Sequence, residues 1–200
     1  MCANISHSYE YGYTAGKLAA DWLNTNCSAS QTVACALLTK PQSLAVIARA
    51  NGIIEGLREN CTFAQIVATK PYSDQASARE MTEQMMREHP KIRCIVGVSD
   101  MSILGAYDAL EAMNLLNEEM CLVGIDASAP VLKKIQEGTV IRGSVSQDTK
   151  GFAEVTIHAA IAAIQGNPLP ESSIKIEAVT MENVAAYLQA EAASPSTPAS

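Results

Sequence analysis

The sequence predicts an α/β fold: a parallel, doubly wound sheet covered by helices on both faces. Three observations carry this prediction. Short, continuously apolar runs alternate with helix-period segments along the chain. Those runs show no polar alternation, as expected of strands buried on both faces. Strand follows strand at roughly 25–30 residues, room for a right-handed helical crossover between parallel neighbours.

In chain order, residues 12–24 read as a helix with Leu18, Ala19, Trp22 and Leu23 on one face. Residues 32–38, Thr-Val-Ala-Cys-Ala-Leu-Leu, form the first strand. Ser43 caps a second helix whose apolar stripe is Leu44, Ile47, Ile54 and Leu57. A strand over 62–69 precedes a helix over 74–87, with Ala78, Met81 and Met85 inward and Pro90 as its stop. Residues 93–98 form a strand, and Asp100 caps a helix reaching about Asn114. The strand over 120–125 leads into a short helix over 130–136, ended by Gly138 in a left-handed position. A strand over 139–146 follows, then a long helix over 149–165 stopping at Gly166-Asn167-Pro168. The last strand is 173–179 and the last helix 181–191. The tail 192–200, rich in Ser, Pro and Ala, is expected to be disordered.

Composition narrows the function. Lys and Arg total 14 against 21 Asp and Glu, a net charge of −7, and no basic cluster exceeds Lys133-Lys134. A nucleic-acid partner, which requires concentrated positive charge, is not expected. No apolar stretch nears the roughly 20 residues of a spanning helix, so membrane insertion is not expected either. Met1-Cys2-Ala3-Asn4 has neither a basic region nor an apolar core, and no secretory signal is expected there. The six cysteines stand at 2, 27, 35, 61, 94 and 121, with no Cys-x-x-Cys pair. Cys35, Cys94 and Cys121 lie within apolar runs, where a free thiol behaves as a small hydrophobe.

Signatures of catalysis are missing. The chain has no Gly-x-Gly-x-x-Gly, no Walker phosphate loop and no Gly-x-Ser-x-Gly elbow. His7, His89 and His158 fall in different regions, and none has a carboxylate at a spacing that suggests a metal pair or a general base. The expectation is a non-enzyme without cofactor or metal. In an open parallel sheet a ligand sits beyond the carboxyl ends of the strands. That rule selects Thr39-Lys40, the segment 70–74 with Tyr72 and Ser73, Ser99-Asp100, Asp126-Ala127-Ser128 and Gln147-Asp148. Arg49, alone on an otherwise apolar helix face, either reaches the surface or presents its fork to that cleft. Tyr72 is a better ligand aromatic than the cluster Tyr9, Tyr11 and Tyr13, which reads as packing.

The order of motifs resembles a known family. Tyr11-Gly12-Tyr13-Thr14-Ala15-Gly16, Arg49-Ala50-Asn51-Gly52-Ile53, Ser99-Asp100 with Leu104-Gly105-Ala106, Val123-Gly124-Ile125-Asp126, and Ser146-Gln147-Asp148 with Gly151 occur in sequence. The chain is similar over residues 5–185 to the periplasmic sugar-binding proteins of ABC transporters, the ribose- and galactose-binding type (periplasmic binding protein-like I). Thr180-Met181-Glu182-Asn183-Val184 resembles the close of those proteins rather than that of the lactose-repressor-type regulators. The resemblance implies a hinge-bending, two-lobed protein that closes on a sugar or polyol for import through a permease. Arg49, Asp126 and Gln147 match positions at which the family hydrogen-bonds its ligand. Ser99 falls where the family commonly has Asn, Ser73 where an aromatic ring stacks, with Tyr72 beside it, and Glu10 near the first hinge crossing.

Only the last two-thirds of such a protein is represented. Residues 11–146 with 176–180 are expected to form the complete second lobe, and 1–10 with 147–175 a remnant of the first. The helix over 152–164, with Phe152, Val155, Ala159, Ala162 and Ala163 on one stripe, is then expected to pack elsewhere, such as on a second copy of the chain. The resemblance implies a periplasmic location. Six unpaired cysteines keep the cytoplasmic alternative, the effector domain of a lactose-repressor-type regulator.

Overall fold

The computed structural model describes residues 2–167 and 175–193, without the side chains of 2–6, 149, 150, 152–154 and 190–193. Helix α1 (Cys2–Asn26) is followed by β1 (Val33–Thr39), α2 (Leu44–Asn60), β2 (Ala64–Pro71), α3 (Gln75–Glu88), β3 (Ile92–Gly97) and α4 (Asp100–Ala112). Then come β4 (Cys121–Asp126), α5 (Ala129–Gln136), β5 (Ile141–Gln147), α6 (Thr149–Gln165), β6 (Ile176–Val179) and α7 (Val184–Ala193). The strands make one six-stranded sheet in the order β2-β1-β3-β4-β5-β6. Strands β1 to β5 run parallel, so their carboxyl ends gather at one edge. Strand β6 pairs antiparallel with β5, Ile176 lying opposite Gln147. The chain thus departs from an all-parallel sheet at its last strand.

The apolar runs are covered on both faces, as their composition requires. Alternation along β5 shows which helices lie where. Gly143 faces Leu18 of α1, whereas Ser144 meets Asp100 of α4 on the opposite side. Helix α2 packs on α1 and α3 on α4, giving a helix layer on each face. Leu37, Ile95, Leu122 and Ile125 from the strands and Leu23, Ile53, Ile103 and Leu110 from the helices are fully buried between the layers.

The α1–α2 crossing is unusually close. A Cβ at Gly12 would stand 1.9 Å from the Arg49 carbonyl oxygen, and one at Gly52 would stand 2.2 Å from that of Tyr9. Gly16 and Gly56 repeat the approach one turn on, against Ile53 and Tyr13. Backbones touch here because no side chain intervenes. Tyr9 and Tyr13 flank the seam and donate hydrogen bonds across it to Glu55 at 2.6 Å and Glu59 at 2.9 Å.

Several local signals act as expected. The Ser43 hydroxyl accepts from the Val46 amide at 3.3 Å, and Gly138 and Gly166 take left-handed φ of 71° and 70°. Others differ. Helix α1 begins at Cys2, about ten residues before the apolar periodicity, because Tyr9 and Tyr13 find partners on α2 and the backbone continues through Glu10. Asp100 does not cap α4. Ser99 occupies the cap position without a side-chain bond, and Asp100 is the first helical residue. The proposed start of the last strand, 173–174, and the tail 194–200 lie outside the described residues. Residues 192 and 193, assigned to that tail, belong to α7. Helix α6 makes no extended packing contact with another element among the described residues. Ile157, Ile161 and Ile164 are exposed along it.

Candidate functional site

The carboxyl ends of β4 and β5 and the middle of α2 bring three of the expected residues together. Arg49 Nη1 donates to the Val98 carbonyl at 2.8 Å and lies 3.9 Å from Asp126 Oδ1. The guanidinium stands over the Tyr11 ring, 5.9 Å from its centre. Gln147, the last residue of β5, donates its side-chain amide to the same Asp126 oxygen. Arg49 is 13% exposed and Asp126 39%, so the pair forms a half-open cation–carboxylate group rather than a sealed core pair. The Arg49 Nε atom is buried and has no hydrogen-bond partner. Burial raises the Asp126 carboxyl above its ordinary value, with Arg49 and Gln147 pulling it back down.

Asp126 reaches this position through an unusual turn. Its φ is 126° and that of Ala127 is 50°, values that side-chain-bearing residues rarely adopt. The turn is tied from below. The Ala127 amide donates to Ser144 Oγ at 2.9 Å, and the Ser128 amide and hydroxyl donate to Asp100 Oδ2 at 2.6 and 2.8 Å. Ser144 Oγ in turn donates to Asp100 Oδ1 at 2.6 Å. Asp100 is buried, and burial lifts its carboxyl to about 6 against the hydrogen bonds from Ser144 and Ser128.

The remaining expected residues divide. The Tyr72 ring is 4% exposed, its hydroxyl is 2.6 Å from Ser99 Oγ, and Lys40 Nζ lies 5.2 Å from its centre. Burial pushes the Tyr72 phenol up, and the bond to Ser99 draws it down. The ring expected to face a ligand is therefore largely covered, and Tyr72 and Ser99 engage each other. Ser73 is exposed and belongs to the α3 cap, its hydroxyl donating to Asp74 at 3.1 Å and its amide to Ser77 at 2.9 Å. Glu10 is exposed on α1, next to Tyr11. Tyr11 is buried in the core, as its reading as packing expects, and its ring also lies beneath the Arg49 fork. Ser144, which the strand-end rule does not select, links Asp100 to the Ala127 amide. Its signal was a hydroxyl on an inward strand position, which requires a buried partner.

A separate cleft of about 440 Å³ lies at the opposite end of the sheet, lined by Cys27, Gln31, Lys91 and Arg93 among others. Its Arg93 is already paired with Glu119 at 3.4 Å. Nothing in that cleft matches the partly open donor–acceptor group around Arg49. No cluster of metal-ligating side chains occurs among the described residues.

Residues 4–168 match the periplasmic binding protein domain family. Comparison with curated proteins returned no match. Among solved structures, the chain is similar to an ABC transporter solute-binding protein from Bacillus halodurans with bound myo-inositol (TM-score 0.78, 26% identity, 90% of this chain and 60% of that one). It is also similar to a periplasmic solute-binding protein from Actinobacillus succinogenes with bound D-allose (TM-score 0.79, 20% identity, 90% and 62%). A Mycobacterium smegmatis protein in complex with β-D-fucofuranose has the same fold (TM-score 0.79, 23% identity, 92% and 60%). The chain thus spans about 60% of the length of these structures.

Proposed function

This chain belongs to the periplasmic binding protein domain family, and from that premise we propose that it supplies one wall of a site for a sugar or polyol, captured without turnover for ABC-type import. The observation that carries the reading is the Arg49–Asp126–Gln147 group, with an unpartnered Arg49 Nε, at the carboxyl edge of the sheet. A guanidinium and a carboxylate side by side offer a fork of donors and a pair of acceptors, which suits vicinal hydroxyls. In this reading Arg49 donates, Asp126 accepts and Gln147 does both. Ser99 and Lys40 stand at the rim, and Tyr72 serves as support. Residues 11–146 with 176–180 form the lobe that carries the site, and α6 belongs with the opposing lobe. Closure of two lobes on the ligand, a permease as partner and a periplasmic location belong to the same proposal. No helix among the described residues is long and apolar enough to cross a membrane. No observation favours the regulator reading. Pairing of α6 with a second copy is testable by sedimentation, and a strictly monomeric chain excludes it.

Calorimetric titration of the full chain with D-allose, myo-inositol and related sugars tests the proposal. Because the chain carries one wall of the cleft, weak binding of at least one is expected, and Arg49→Met is expected to abolish the heat, since it removes every donor of the fork while keeping a long apolar stem. A chain that binds none of them, or an Arg49→Met variant that binds as the wild type does, refutes the reading.

A further inference from the structure

We infer that Asp100 is a positioning residue for this site: its carboxylate holds the turn from Asp126 to Ser128 in the conformation that places Asp126 between Arg49 and Gln147. The inference rests on the proposed function for its consequence in binding, though not for its geometry. Asp100 is buried and each oxygen already has protein partners, so it offers little to a ligand. Helix α4 does not need it as a cap, since Ser99 holds that place. What it does hold is the next loop. Ser128 reaches Oδ2 with both its amide and its hydroxyl, and the Ala127 amide reaches Oδ1 through the Ser144 hydroxyl.

Two consecutive residues at positive φ persist only where their surroundings over-determine them. The donors of Ala127 and Ser128 are all accounted for by one carboxylate and the serine bound to it. The Asp126 side chain, exposed and aimed at Arg49, depends on that backbone for its direction. Gly124 completes the arrangement from β4, because a Cβ there would stand 2.2 Å from Asp100 Oδ1 and displace the carboxylate.

Three variants of the full chain, Asp100→Asn, Ser128→Ala and Gly124→Ala, test the inference by two readouts. One is the NMR resonance pair of the Gln147 side-chain amide, which reports its bond to Asp126. The other is calorimetric affinity for whichever of D-allose or myo-inositol the wild type binds. Asp100→Asn keeps the shape but replaces one acceptor oxygen with a donor. It is expected to shift the Gln147 amide and weaken binding about tenfold, with Ser128→Ala a few-fold and Gly124→Ala between them. Folded variants with lowered melting temperatures but an unmoved Gln147 amide and unchanged affinity would overturn the inference, since Asp100 would then be structural only. If Asp100→Asn does not fold, the other two variants decide by the same criteria. If the wild type binds neither sugar, that counts against the proposed site, and the Gln147 amide alone decides this inference: moved supports it, unmoved overturns it.

Discussion

Replacing Gly52 by alanine asks the α1–α2 seam a question whose answer has a sign. In an open helix interior, Gly→Ala stabilises by about 1 kcal/mol, because the unfolded chain loses freedom and the helix gains propensity. Here the added Cβ would lie 2.2 Å from the Tyr9 carbonyl oxygen and 2.7 Å from the Tyr13 amide nitrogen. Ordinary contact begins near 3.4 Å, so α1 must retreat by something over 1 Å. Both obstacles are backbone atoms and cannot rotate aside. Overpacking of this kind costs roughly 1–3 kcal/mol. The retreat also stretches the Tyr9–Glu55 and Tyr13–Glu59 bonds that flank the seam. The expected net effect is a loss of about 1–2 kcal/mol, read as a lowered urea midpoint at unchanged slope. Gly12→Ala in the same background should then cost less than it does alone, since the helices have already separated. A Gly52→Ala variant more stable than the wild type would refute the close approach.

Two further expectations concern buried groups. Burial lifts the Asp100 carboxyl from an ordinary 3.8 to about 6, so the folded chain keeps a proton that the unfolded chain releases in that window. Its contribution to stability therefore grows as pH falls through 6 and is lost as pH rises. The stability difference between wild type and Asp100→Asn should shift in favour of wild type by about 2 kcal/mol from pH 7 to pH 4, and a flat or opposite trend in paired denaturation curves would contradict the burial. The second concerns the thiols Cys35, Cys94 and Cys121, which sit side by side on β1, β3 and β4 with no exposure. A hydrogen bond with the Cys94 thiol, then burial, raises the Cys35 thiol far above its ordinary value. Under native conditions maleimide should label the half-buried Cys27 and leave these three until the chain unfolds; rapid labelling of Cys94 in peptide mass mapping would show the ladder to be open.

Apolar runs announce buried strands wherever the cover is two-sided, which is why β1, β3 and β4 are legible from composition alone. The cap at Ser43 is also local chemistry and can be read from a few residues, whereas Asp74, read as the first helical residue, caps α3 from outside it. The N-terminal turns of α1 were not legible, because Tyr9 and Tyr13 are held by glutamates 46 residues away. Strand β6 gives no local sign of its direction, which depends on where the chain re-enters the sheet. At the site, Arg49, Asp126 and Gln147 could be chosen from the strand-end rule and the family pattern. Their dependence on Asp100 and Ser144 could not, since an aspartate before a helix reads as a cap until its real partners, 28 and 44 residues downstream, are seen.

Helix α1 lies over β4, β5 and β6 as well as on α2. Its place in the sequence therefore has a consequence for synthesis. The face that meets α2 is satisfied within a few dozen residues, and the close crossing can form as soon as Asn60 has left the ribosome. The face carrying Leu18 must wait for β5, which ends at Gln147. At about 5–20 residues per second, that is a delay on the order of ten seconds during which an alanine- and leucine-rich surface is uncovered. The parallel α1–α2 pair, with β1 between its helices in the chain, is thus a nascent-chain species with one face closed and the other still apolar and uncovered.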